Sequence, residues 1–157
     1  MSISCDSTII VGTTCPLTSL DTIYIGAIVC APDGRVLCQL RDNFPWIICP
    51  GMWCCCPGGH LDQGEDPETA VLRELREEFD IEVSGLRPLL VHIEEEGEYQ
   101  GTYHSFVANL VTPIDSVQCN EGVRAEFFRP EVAIDLPQHP VSRLFLQTYI
   151  AGCKEAR

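Results

Sequence analysis

Residues 57–83, PGGHLDQGEDPETAVLRELREEFDIEV, constrain what this chain can fold into more than any other stretch. Asp66, Pro67 and Glu68 together mark a helix start: an acceptor at the N-cap, a proline where the missing N–H costs nothing, and a negative charge in the first turn. The spacing predicts a helix over residues 67–79. At about 100° per residue, Val71, Leu72, Leu75 and Phe79 share one stripe that should pack on a sheet, and Glu74, Glu77 and Glu78 occupy the arc beside it. Glu74 and Glu78 stand four apart, where like charges cost an isolated helix a few tenths of a kcal/mol. Acids at the margin of an apolar stripe, behind a Gly-Gly pair whose backbone can approach a ligand, suit a hard divalent cation with oxygen ligands. The plainer alternative is a solvated acidic face balanced by an Arg73–Glu77 pair.

The 157 residues have the length of one domain, and an apolar content of 45% is enough for a real core. A formal net charge of −13, with no block of Lys or Arg, argues against a nucleic-acid polymer or an anionic membrane as partner. A small anionic substrate remains compatible, because a bound divalent ion reverses the local potential. The N-terminal run MSISCDSTIIVGTTCPLTSLD has no basic n-region and no sustained apolar core before Cys15 and Pro16, so a cytoplasmic protein without a secretory signal is expected. The ten cysteines, among them Cys49 and the run Cys54-Cys55-Cys56, read as reduced, buried thiols rather than a zinc site, for no matching Cys/His pair follows.

Residues 23–30, β-branched and apolar, and residues 35–41, which alternate, read as two strands around the turn APDG, and a long irregular loop with two prolines follows before WCCC, a short buried strand. RPLLVHIEEE and TYHSFVANLV form two strands around GEYQG, RAEFFRP one more, and the closing segment an amphipathic helix with Val141, Leu144, Phe145 and Thr148 on one face. Hairpins among the helices predict an α/β fold with a mixed sheet.

Gly59, Glu65 and the run Arg73-Glu74-Leu75-Arg76-Glu77-Glu78-Phe79-Asp80-Ile81 resemble the Nudix box, G-x5-E-x7-R-E-U-x-E-E-x-G-U, over residues 59–81. One fixed position departs: Asp80 stands where the family has glycine, at the end of the helix, where a left-handed conformation is wanted. GAIVCAPDGRVLCQLRD, PGG and NEGVRAEFFRPEVA resemble the family's flanks. The resemblance implies a single Nudix domain over 1–157, an α/β/α sandwich with helices on both faces of a mixed sheet. It also implies Mg²⁺- or Mn²⁺-dependent hydrolysis of a nucleoside diphosphate derivative.

Carried over by position, the resemblance makes Glu74, Glu77, Glu78 and the carbonyl of Gly59 the metal ligands, and Glu65 with Arg73 the brace behind them. The expected catalytic set is Glu74, Glu78 and Glu121. Glu121, in NEG, is the later-loop acid best placed to be the general base, in competition with Glu94, Glu95, Glu96 and Glu98. His60 and His104 are not expected as ligands of a hard ion. Arg41, Trp46 and Trp53, in or beside the loop before the box, are the residues expected to bind substrate, the tryptophans either stacking on a base or packing in the core.

Subfamily markers are thin. The proline of the ADP-ribose signature is absent, and Tyr99 alone points toward dinucleoside polyphosphates. The short chain favours a nucleoside triphosphate pyrophosphohydrolase releasing NMP and pyrophosphate, with dinucleoside-polyphosphate or nucleotide-sugar hydrolysis as the alternative. A non-catalytic nucleotide sensor is the competing class, but such modules usually lose box glutamates, and all are present here. A homodimer is compatible with the family.

Overall fold

Strand β1 (Ile23–Cys30) organises the molecule because both of its faces are buried. Ile25, Ala27 and Val29 point to one side, and Gly26 and Ile28 to the other, so a strand of period two needs a covering layer on each face. A computed structural model describes residues 21–156 and supplies both layers. The reading of residues 1–20 as free of a secretory signal lies outside the described residues.

Among the described residues seven strands form one mixed sheet in the order β3-β2-β1-β6-β5, with β4 (Gly58–His60) also paired to β1 and β7 to β2. β1 runs parallel to β6 (Gly101–Leu110) through eight consecutive registered pairs, from Ile23↔Thr102 to Cys30↔Asn109. It also forms an antiparallel hairpin with β2 (Val36–Leu40). β2 holds β7 (Arg124–Phe128) and the short β3 (Trp53–Cys54), and β5 (Val83–Glu94) closes the far edge against β6. On one face lies α1 (Pro67–Phe79), burying Ala70, Val71, Leu75 and Phe79 against Ile25, Val29, Leu37 and Phe106. On the other lies α3 (Pro140–Glu155), preceded by the short α2 (Pro130–Ala133), with Val141, Phe145 and Leu146 against Ile28, Cys38 and Val107. This is the expected α/β/α arrangement. Among the described residues, no helix is long and apolar enough to cross a membrane.

The predicted bounds of α1 hold, but its stripe is narrower than the wheel implies. Leu72 is 38% exposed, because Val71 and Leu75 already fill the space over the sheet. In α3 the core takes Ser142 and Leu146 in place of Leu144 and Thr148, a rotation of the buried face by about 80°.

Gly58–His60 is a strand, β4, paired antiparallel to β1 through Gly26↔Gly58 and Ile25↔Gly59. A side-chain carbon on Gly58 would collide with the Ile25 carbonyl oxygen, so only glycine allows this approach. Of the described cysteines, Cys38, Cys49, Cys55 and Cys56 are buried thiols, Cys30, Cys54 and Cys119 half-buried, and Cys153 exposed.

Candidate active site

The acidic helix begins where β4 ends. The Asp66 carboxylate accepts from the Thr69 N–H at 3.0 Å and from the Thr69 hydroxyl at 2.7 Å, a complete N-cap. At the other end Asp80 adopts φ 54°, ψ 40°, the left-handed conformation expected of the family's glycine, and its N–H returns to the Arg76 carbonyl. The substitution therefore leaves the helix end in place.

Arg73 organises the N-terminal part of the site. Its guanidinium donates to both oxygens of Glu65 at 3.0 Å, to Glu74 Oε1 at 2.7 Å, to Glu77 Oε2 at 3.2 Å and to the His60 carbonyl at 3.3 Å. The fork geometry of arginine satisfies this set; a lysine would reach one or two acceptors. These bonds hold the Glu65 carboxyl below the usual carboxylate range. Glu74 is turned toward β4: a side-chain carbon on Gly59 would stand 2.7 Å from its carboxylate. Only a glycine backbone lets the Glu74 carboxylate and the β4 main chain come this close.

Glu78 lies deeper, between α1 and β2, and is 5% exposed. Burial pushes its carboxyl up to about 8, and the charges of Glu121 and Glu74 push the same way, against the opposing effects of Gln39 and Arg41. Glu121 arrives from the loop before β7. That loop caps the last turn of α1: Gln118 N–H donates to the Phe79 carbonyl at 2.9 Å, Asn120 N–H to the Glu78 carbonyl at 2.7 Å, and the Asn120 side chain to the Glu77 carbonyl at 2.9 Å. The orphan carbonyls of a helix C-terminus thus fix the loop that carries the second acid.

The three box glutamates do not converge fully. The Glu77 side chain is 59% exposed and follows Arg73, the i,i+4 partner of the plainer sequence reading. Among the described residues, no three His, Cys, Asp or Glu side chains are gathered tightly enough to hold a metal ion as placed. Like charges on one helix face repel, and Arg73 draws two of them to itself. The candidate donor set still fits a hard divalent ion: every candidate donor atom is oxygen, and a buried carboxyl beside two other acids is the environment a cation relieves.

A shallow depression beside Glu78 is lined by Gln39, Arg41, Asp42, Ile47, Glu121 and Gly122. Arg41 stands at its wall, its Nε donating to the Ile48 carbonyl at 2.8 Å. Trp46, 73% exposed, stacks on Phe44 with ring centroids 4.9 Å apart and a 5° interplanar angle, so its outer face is open. Trp53 corrects the sequence expectation. It is 7% exposed, edge-on to Phe128 at 5.1 Å and covered by the Arg124 guanidinium at 5.2 Å, so it packs in the core and cannot stack on a base. The Tyr99 hydroxyl accepts from the Cys49 thiol at 3.3 Å, and its ring lies against His139.

Two residues of the site were not singled out from the sequence. Gln39 interrupts the apolar run VLCQL, and a polar side chain at a buried strand position was the available signal. Asn120, between Cys119 and Glu121, carried no pattern of its own.

A family model described as the NUDIX domain matches residues 21–149. An RNA pyrophosphohydrolase of Gluconacetobacter diazotrophicus is 34% identical over 131 residues, covering 74% of this chain and 78% of that one. A MutT-like protein of Streptomyces ambofaciens is 35% identical over 91 residues, and the match spans only 49% of its length and 57% of this chain. Among solved structures, a MutT NUDIX hydrolase from Burkholderia pseudomallei superposes with a TM-score of 0.65 at 26% identity, covering 82% of this chain and 97% of that one.

Proposed function

The chain belongs to the Nudix family, as a hydrolase of phosphoric anhydride bonds, and from that premise we propose that it cleaves a nucleoside triphosphate to the monophosphate and pyrophosphate. The observation that carries this reading is the placement of Glu78: a buried carboxyl between Glu74 and Glu121 at the edge of a depression walled by Arg41. Glu74, Glu77, Glu78 and the Gly59 carbonyl are the oxygen donors that would hold Mg²⁺ or Mn²⁺. Such an ion, when bound, supplies neutralising charge to the phosphate oxygens and acidifies a coordinated water.

The chain's own groups supply the rest. Arg41 draws the anionic phosphates toward the depression and holds them by charge-assisted hydrogen bonds. Glu121 accepts the proton of the attacking water. The open face of Trp46 stacks on the base, a contact that tolerates any nucleobase because every base has a π-face. Glu65 and Arg73 keep the start of α1 and the end of β4 in register, so that Glu74 stays beside Gly59.

A second reading, removal of pyrophosphate from the 5′ end of RNA, draws support from the Gluconacetobacter relative. The net charge of −13 opposes a polymeric partner. Both are tested by one panel: nucleoside triphosphates, nucleotide sugars, dinucleoside polyphosphates and a 5′-triphosphorylated oligoribonucleotide, each with Mg²⁺. Pyrophosphate release from free triphosphates at the highest kcat/KM supports the first reading, and preference for the oligonucleotide supports the second. No turnover of any member contradicts both.

A further inference from the structure

Gln39 is a buried carboxamide in a strand whose other members are apolar. Its side-chain nitrogen has two hydrogens to give, and two acceptors take them: Glu78 Oε2 at 3.1 Å and the Glu121 carbonyl at 2.8 Å. These acceptors belong to different segments, one to α1 and the other to the loop before β7. The same loop lies flat on β2, since Val123 N–H donates to the Leu40 carbonyl at 2.8 Å and a side-chain carbon on Gly122 would stand 2.7 Å from that oxygen. Gln39 therefore sits at the junction where the sheet, the acidic helix and the acid-bearing loop meet.

We propose that Gln39 is a positioning residue that fixes the Glu78 carboxylate and its separation from Glu121 through one carboxamide. The inference rests on the hydrolytic reading above and adds to it a residue outside the box motif. Glutamine suits the task because its amide donates to both acceptors without adding charge among the acids. A glutamate there would place another negative charge against Glu78, and a leucine would leave the Glu121 carbonyl and Glu78 without their buried donor. If Gln39 served only to fill space, an apolar residue of similar volume would preserve turnover and change melting temperature alone.

The test uses the full chain, with steady-state kinetics across Mg²⁺ concentration and calorimetric titration of Mn²⁺ without nucleotide, in which Gln39→Leu is expected to bind about tenfold more weakly than the native protein and equal affinity overturns the inference. Gln39→Leu is expected to lower kcat by roughly 10- to 100-fold and to raise the half-activating Mg²⁺ concentration about tenfold, the range seen when a hydrogen-bond partner of a metal ligand is removed. Its KM for nucleotide should stay within about threefold, since the residue acts through Glu78 and Glu121 rather than on substrate. In a Glu78→Gln background the same change should cost less than about twofold more, because the group it positions is already disabled. If Gln39→Leu does not fold, Gln39→Glu, of the same shape, is read instead: a loss of rate partly recovered by raised Mg²⁺ supports the inference. Native kcat and Mg²⁺ dependence in the readable variant, or a full independent loss in the Glu78→Gln background, overturns it. Absence of nucleotide hydrolysis by the native protein contradicts the reading above and takes this inference with it, whereas native hydrolysis with an unaffected Gln39 variant contradicts the inference alone.

Discussion

The Glu74 carboxylate occupies the space that a side chain on Gly59 would take: all three of its carboxyl atoms lie within 2.8 Å of that point. The contact joins β4 to α1 across the site, and it is made at the far end of a flexible side chain rather than in the backbone. Gly59→Ala should therefore leave the fold nearly intact, with less than about 1 kcal/mol of stability lost, while Glu74 swings away. A drop of about 100-fold in turnover with a nearly unchanged melting temperature is the expected result, read by kinetics and thermal denaturation on the same sample.

The Glu78 carboxyl, raised to about 8, makes stability depend on pH in a definite direction. Between its usual value and about 8 the folded protein keeps a proton that the unfolded chain has lost, so stability falls as pH rises through that window. His139 works the other way at lower pH: burial lowers it to about 4, and stability from that group is gained as pH rises toward the ordinary histidine value. The Glu78 contribution is therefore read cleanly from about pH 6.5 to 8. In buffer with chelator, the melting temperature should fall across this interval, and Glu78→Gln should abolish the fall.

Arg73 is held by Glu65, Glu74, Glu77 and the His60 carbonyl at once. Arg73→Lys keeps the charge but cannot reproduce the bidentate grip on Glu65, so it should lose activity almost as fully as Arg73→Ala, by about tenfold or more. Substantial rescue by lysine in a kinetic comparison would mean that charge alone, not geometry, matters at this position.

Asp80 is one of two non-glycine residues with positive φ among those described, the other being Cys49. Asp80→Gly restores the residue type that a left-handed helix end prefers and should raise unfolding free energy by about 0.5–1 kcal/mol, as measured by denaturant titration, without altering kcat.

The two tryptophans should separate in function. Trp46→Ala removes an exposed ring and should raise KM severalfold with stability unchanged. Trp53→Ala opens the core between Phe128 and Arg124 and should cost about 3–5 kcal/mol.

Much of this arrangement could be read from the residues because its causes are local. The Asp66-Pro67-Glu68 start, the apolar spacing of Val71, Leu75 and Phe79, and the place of Asp80 at the helix end are written within a few positions of one another. What escaped depends on contacts distant in the chain. Gln39 meets Glu78 across 39 positions and the Glu121 carbonyl across 82, and no periodicity records such a bond. Trp46 lies in the irregular loop and Trp53 in the short strand after it, and the pairing of Trp53 with Leu40 is what puts that ring in the core. Glu77 had the right type and spacing, yet Arg73, one turn earlier, competes for it.

Glu74, Glu77, Glu78 and the Gly59 carbonyl are the donors proposed to hold a divalent cation beside Glu121. Calorimetric titration of Mn²⁺ into the native protein and into Glu78→Gln tests this assignment directly. Binding to the native protein and at least about tenfold weaker binding to the variant are expected. Equal affinities, or no binding to the native protein, would contradict it.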